Sequence, residues 1–294
     1  MLKTLLLAAA LTAPLIAEDA ADWTAHVAEA YRVTPDVVYS IADGYENKLD
    51  VYVPRDSAAP HPTVVYIHGG GWTGGTKESS ILRLLPYLRR GFAAVNVEYR
   101  LARNALAPAA VADCRCALRW VHANAQQYGF DPERLVVTGH SAGGHLSLMT
   151  GMLDPSAGLD YECNHGEHDA DPKVAAIINF YGITDVGDLL TGENQKSYAV
   201  RWLGSLAGRD EAAERVSPLT YVSNELPPIL TIHGDADGVV PYSHATRLHE
   251  ALEKKGSANG LVTVPGGGHG GFSHEESLKI DQAIEEFLTE HGLL

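Results

Sequence analysis

The chain is short of positive charge. Lys and Arg number 22 against 37 Asp and Glu, a formal net charge of −15. That balance argues against nucleic acid or an anionic membrane surface as a partner. Long like-charge runs, low-complexity tracts and internal repeats are also missing, which sets aside charged tails and repeat architectures. Only three cysteines occur, Cys114, Cys116 and Cys163. Cys114 and Cys116 lie two apart in a predicted helix, so their side chains point to different sides and cannot easily bond each other. Cys163, in a following loop, could reach either of them, and buried free thiols are the other reading. The longest apolar stretch near the start, Leu5 to Ile16, is too short to span a bilayer well.

That stretch follows Lys3 and precedes Ala17, the pattern of an export signal comprising residues 1–17 with cleavage after Ala17. An ordinary N-terminal helix is the plainer alternative. Export predicts a periplasmic or secreted protein whose mature part is residues 18–294, with no integral membrane segment left after signal removal.

What is present is enough apolar content, 45% of 294 residues, to bury the full core of one α/β domain. Val37–Ala42 and Leu49–Val53 predict an opening antiparallel pair around Asp43-Gly44. Thr63–His68 and Ala93–Val97 are dense apolar runs typical of parallel strands buried on both faces. Helical spacing runs over Ser79–Gly91 and, opened by Pro108, as one long helix to Tyr128. Asp131-Pro132-Glu133 forms a turn before strand Leu135–Thr138. Val174–Phe180, Ile229–His233 and Leu261–Val264 complete the strands, and Glu275–Glu290 predicts a last helix packed on the sheet. The alternation gives a mostly parallel, eight-stranded sheet flanked by helices. Thr184–Tyr221 breaks the alternation and reads as a small cap inserted over the site. Glu162–Asp171 holds His165, His168 and several acids but lacks strict ligand spacing, so it reads as a solvated acidic loop and no metal is expected.

The chemistry is concentrated in four segments. Gly139-His140-Ser141-Ala142-Gly143 stands between the apolar run Leu135–Val137 and an amphipathic stretch, the setting of a strand-to-helix turn that exposes Ser141 as a nucleophile. A serine hydroxyl needs a base, an orienting acid and donors for the developing oxyanion. His269, in a glycine-rich loop after the last strand, is the candidate base, with His274 and His244 in reserve. Asp237 is the candidate acid, sitting before the apolar anchor Val239-Val240-Pro241. Asp235 competes with it but is as well suited to stabilising its own turn. Three glycines after His68 let the N–H groups of Gly70 and Gly71 join that of Ala142 in an oxyanion hole. Trp72 is expected to shape the wall of an acyl pocket, with a structural aromatic as the alternative.

With these residues in view, the chain resembles the α/β-hydrolase family over about Val37 to Leu288, in the esterase/lipase branch that carries a His-Gly-Gly-Gly motif. The matching pieces are His68-Gly69-Gly70-Gly71-Trp72, Glu98-Tyr99-Arg100-Leu101-Ala102, Gly139-His140-Ser141-Ala142-Gly143-Gly144, His233-Gly234-Asp235-Ala236-Asp237 and Gly268-His269-Gly270. The resemblance implies the order Ser…Asp…His for the triad and a scaffold role for Tyr99 and Arg100 behind the oxyanion loop. Hormone-sensitive-lipase-like enzymes usually continue the latter segment with Pro-Glu, where this chain has Arg103-Asn104. The Gly-Gly-Gly-Trp form looks more like the secreted acetyl-xylan and feruloyl esterase-like group. The expectation is an exported serine carboxylesterase acting on short-chain or carbohydrate-linked acyl esters, without a cofactor. A general lipophilic carboxylesterase or lipase, a serine peptidase of the same fold and a non-catalytic binding protein are the alternatives.

Overall fold

The computed structural model describes residues 27–55, 60–160, 163, 172–205 and 208–294. The expected export signal, and all of the acidic loop except Cys163, lie outside the described residues. Eight strands form one sheet: β1 (Tyr31–Ala42), β2 (Tyr45–Pro54), β3 (His61–Ile67), β4 (Ala93–Val97), β5 (Phe130–His140), β6 (Ala176–Phe180), β7 (Ile229–Gly234) and β8 (Asn259–Val264). Their spatial order is β1-β2-β4-β3-β5-β6-β7-β8. β2 runs antiparallel to both β1 and β4, and every later pairing is parallel.

The sequence dictates this layout locally. Asp43 and Gly44 take φ of 50° and 77°, the two positive values that a tight hairpin requires between β1 and β2. Along β3, Val65 and Ile67 face one apolar cluster while Val64 and Tyr66 face the other, so the strand is buried on both sides, as its continuous apolar run predicts. The helices Ala109–Ala123 and Ala142–Met152 cover the first face. The helix His274–Glu290 lays Ile280, Ile284, Phe287 and Leu288 on the second. Its start is fixed by a capping box between Ser273 and Glu276.

Several expected boundaries shift. β1 begins at Tyr31, six residues before the apolar signal at Val37, because its first half is an exposed edge held by pairing with β2. The long helix breaks at Asn124, whose backbone at φ −105° and ψ 11° leaves the helical region; a short turn, Ala125–Tyr128, follows. The stretch after the oxyanion loop divides into a 3₁₀ turn, Glu78–Arg83, and a short helix, Leu85–Arg89. Cys163 bonds Cys116 with an S–S distance of 2.04 Å. Cys114, two residues along the same helix, is a buried free thiol.

Candidate active site

β5 ends at His140 and the helix Ala142–Met152 starts immediately after, leaving Ser141 alone at the corner with φ 58° and ψ −121°. A side chain rarely adopts that conformation unless the surroundings impose it. Here they do: the Ser141 N–H donates to the Phe180 carbonyl at 2.9 Å and its own carbonyl accepts from the His145 N–H at 2.9 Å. At Gly143, the second residue of the helix, a Cβ would strike the backbone of Ile67 and His68. The helix can therefore close onto β3 only with glycine there. Among the described residues the Ser141 hydroxyl has no hydrogen-bond partner. Catalytic hydrogen bonds are often long before substrate binds.

The loop expected to hold the oxyanion lies against this corner. A Cβ on Gly69 would meet the His140 carbonyl oxygen at 2.6 Å and Ser141 Cβ at 3.6 Å. Gly70 turns its carbonyl back to accept from the N–H groups of Thr73 and Gly74 at 3.1 and 3.0 Å. Among the described residues the N–H groups of Gly70, Gly71 and Ala142 donate to no protein acceptor. Those are the three donors expected of an oxyanion hole. Behind the loop, Tyr99 stacks on His68 at 4.3 Å and donates its hydroxyl to the His68 carbonyl at 3.1 Å. Arg100 is clamped by Asp113, with Nη2 to Oδ1 at 2.9 Å. Both are scaffold, as the resemblance implies.

Trp72 is a correction. Its ring is fully buried, stacked on Trp202 at 4.1 Å and 12°, and its indole N–H donates to His145 Nδ1 at 3.2 Å. It has no surface to offer a substrate. Burial pushes the His145 imidazole down to about 4, so the ring is neutral near neutral pH: Nδ1 accepts from Trp72 while Nε2–H donates to the Val216 carbonyl at 2.7 Å. Trp72 thus anchors the oxyanion loop to the segment 184–221, which supplies Trp202 and also Tyr198, the ring that faces Gly71.

The acid and base meet. His269 Nδ1 lies 2.7 Å from Asp237 Oδ2, and Asp237 Oδ1 accepts from the N–H groups of Val239 and Val240 at 2.7 and 3.0 Å. Burial opposes the Asp237 charge, but the hydrogen bonds from His233, His269 and those two N–H groups outweigh it and hold the carboxyl well below the usual range. Asp235 instead accepts from the Gly266 N–H at 2.6 Å, pinning the acid loop to the histidine loop. The reserve histidines lie elsewhere. His244 is buried beside Thr184 and Asp188, and His274 is exposed at the start of the last helix. Tyr181 connects the two halves: its ring is 4.6 Å from His269 and 5.5 Å from His140, and the carbonyl of its neighbour Phe180 holds Ser141. Sequence reasoning missed His233, whose Nε2 also reaches Asp237 Oδ2, at 3.2 Å. The only signal was its placement four residues before Asp237 at the end of a strand.

The BD-FAE family matches residues 49–252. The chain belongs to the BD-FAE family. Among curated proteins, this BD-FAE chain is 27% identical to Esterase LipQ of Mycobacterium tuberculosis over 267 residues, 87% of the chain and 62% of that protein. It is 30% identical to Esterase LipC of the same organism over 229 residues, 76% of the chain and 56% of that protein. It therefore spans only about three-fifths of the length of these relatives. Among solved structures, a thermophilic esterase of Thermogutta terrifontis with propionate bound superposes with a TM-score of 0.75 at 29% identity, covering 90% of the BD-FAE chain and 96% of the other. A truncated carbohydrate esterase from gut microbiota gives a TM-score of 0.75 at 29% identity, with 89% and 97% covered. The BD-FAE chain has the α/β-hydrolase fold.

Proposed function

We propose that this protein is an exported carboxylic ester hydrolase using Ser141, His269 and Asp237, and that its substrates are short-chain or carbohydrate-linked acyl esters. The observation that carries the reading is the 2.7 Å contact of His269 Nδ1 with Asp237, made in the same structure that strains Ser141 at a strand-to-helix corner. His269 removes the Ser141 hydroxyl proton as the oxygen attacks the ester carbonyl. Asp237 fixes the imidazole so that Nε2 is the free nitrogen, and it stabilises the imidazolium that forms. The N–H groups of Gly70, Gly71 and Ala142 receive the oxyanion. The leaving alcohol departs with the proton from His269. Water then attacks the acyl-enzyme, giving its proton to His269, and releases the acid and the restored serine.

The names of the relatives and neighbours support ester chemistry, and the carbohydrate esterase among them supports acylated carbohydrate as a substrate class. The Cys116–Cys163 disulfide supports an oxidising compartment. We infer also that residues 18–294 form one hydrolase domain whose segment 184–221 caps the site. Its Tyr198 hydroxyl donates to the Val239 carbonyl at 3.1 Å and its Lys196 ammonium to the Gly238 carbonyl at 2.9 Å, tying it to the acid loop.

The test is initial rates on p-nitrophenyl acetate, butyrate, octanoate and palmitate, alongside acetylated xylan and methyl ferulate. Short esters and at least one carbohydrate or ferulate ester should be hydrolysed, with Ser141→Ala folded and inactive. A preference for octanoate with no release from xylan or ferulate would replace the carbohydrate reading with a general lipophilic esterase. Undiminished turnover by Ser141→Ala would sink the mechanism.

A further inference from the structure

A cavity of about 330 Å³ lies on the sheet face covered by the helix His274–Glu290, lined in part by His140 and Gly270, the chain neighbours of Ser141 and His269. The rings of Phe180, Tyr181 and Phe272 form much of its wall. Residues 270–272, which follow His269 directly, enter the lining, and among the described residues none of 69–72 does. That asymmetry assigns the cavity a side. The oxyanion loop holds the carbonyl oxygen, whereas His269 delivers its proton to the leaving oxygen. A cavity continuous with the histidine loop therefore receives the alcohol half of the ester.

Its lining holds two charged side chains, Arg83 and Asp281. Arg83, exposed at the end of the 3₁₀ turn, contributes to the lining and among the described residues forms no ion pair. This is notable in a chain where acids outnumber bases. The one acid among the described lining residues, Asp281, is already bound to Arg90 Nη1 at 2.9 Å. His140 lies in the wall, stacked on Phe180 at 4.1 Å and 7°, with Nδ1 3.0 Å from the Tyr66 hydroxyl and, among the described residues, no hydrogen-bond partner on Nε2. Stacked rings around an uncommitted guanidinium suit a flat apolar group that ends in a carboxylate, which Arg takes with two parallel hydrogen bonds.

We propose that this cavity binds the leaving-group half of esters of aromatic alcohols that bear a carboxylate, with Arg83 holding that carboxylate. The assignment rests on the ester-hydrolase reading above and adds a substrate class to it. The probes are the acetate esters of para-hydroxyphenylacetate and para-hydroxyphenylpropionate, each compared with its carboxamide, because the intervening methylene groups keep the two leaving groups similarly acidic. In the wild type the carboxylates should exceed the carboxamides about tenfold in kcat/KM, mostly through KM, the worth of one charge-assisted contact. Arg83→Gln should bring the ratio to near one and Arg83→Lys should retain part of it. The ratio is taken within each variant, so partial unfolding cannot imitate its loss. A wild-type ratio near one, or a ratio that Arg83→Gln leaves intact, overturns the cavity assignment while the ester-hydrolase reading stands. Silence on these esters and on p-nitrophenyl acetate alike overturns both.

Discussion

His233 Nε2 stands 3.2 Å from Oδ2 of Asp237, so the oxygen that serves His269 is held from a second side by a fully buried imidazole. The same His233 nitrogen lies 3.1 Å from the Val240 carbonyl, which ties the strand end, the acid and the acid's own loop into one unit. In the proposed mechanism His233 is a positioning residue: it touches Asp237, not the reacting atoms. A hydrogen bond to a charged group contributes about 1.5–3 kcal/mol, so His233→Leu should lower kcat on p-nitrophenyl acetate at least about tenfold. KM should hardly move, since substrate contacts are untouched. A folded variant with wild-type kcat would refute this role.

Ser141 carries measurable strain. Its φ of 58° with ψ of −121° costs on the order of 1–3 kcal/mol for a side-chain-bearing residue, and glycine escapes most of that at an entropic cost of about 0.5–1 kcal/mol. Ser141→Gly should therefore unfold at a higher urea concentration than Ser141→Ala, which keeps the Cβ. Both should lack esterase activity. A lower midpoint for the glycine variant would count against strain at the corner.

Gly71 is crowded by Tyr198 of the segment 184–221. A Cβ there would sit 2.9 Å from Tyr198 Cβ, on a backbone at φ 58°. Gly71→Ala should displace the loop and lose one oxyanion donor, reducing kcat about 100-fold or more. Adding Tyr198→Gly, which removes that Cβ along with the ring, should recover part of the loss, which stopped-flow acylation rates can measure. No recovery would place the cost in the backbone alone.

Acid should destabilise the fold before it reaches the carboxylates. Burial holds His68, His145 and His244 at about 4 against an ordinary 6.5, and pushes His140 well below it. Between those values the unfolded chain binds protons that the folded chain refuses, so stability rises with pH through this window and is lost on acidification. Each such histidine contributes about 1.4 kcal/mol per pH unit. Urea midpoints should fall steeply from about pH 6.5 to about pH 4.5, and His145→Gln should flatten the fall by one proton. Asp237, whose folded carboxyl is depressed, adds its own loss as the pH falls through the ordinary carboxylate range and below it. A flat profile down to pH 4.5 would contradict the burial of these rings.

The Cys116–Cys163 bond closes 47 residues of chain. A loop of that length restricts the unfolded state by about 4 kcal/mol. Replacing both cysteines with alanine should cost about that much in urea unfolding, and reductant should have no further effect on the variant. An unchanged midpoint would mean that the bond does not form in the protein.

The parts that the sequence made legible were those where glycine or a turn leaves a chemical signature. Ser141 stood out because Gly139 and Gly143 flank it between a strand and a helix, and the β1–β2 hairpin because Asp43-Gly44 permits only one kind of turn. What stayed hidden depends on distant partners. The choice of Cys116 over Cys114 follows from how one helix is rotated against a loop 47 residues away, and nothing in the spacing records it. Trp72 could as well have lined a pocket until Trp202, 130 positions later in the chain, was found stacked against it. The first half of β1 lacked an apolar signal because an edge strand needs only its backbone to pair.

The Trp72–Trp202 stack joins two parts of the molecule that would otherwise be free to change independently. A segment 184–221 that diverges must keep a flat ring at 202, or the loop that carries Trp72 loses its seat. Diversification is thereby channelled toward the part of the insertion beyond that ring, such as the helix Arg209–Arg215, and toward its exposed rim. Exchanging the insertion between relatives should succeed only where donor and recipient carry matching rings at both ends of the stack.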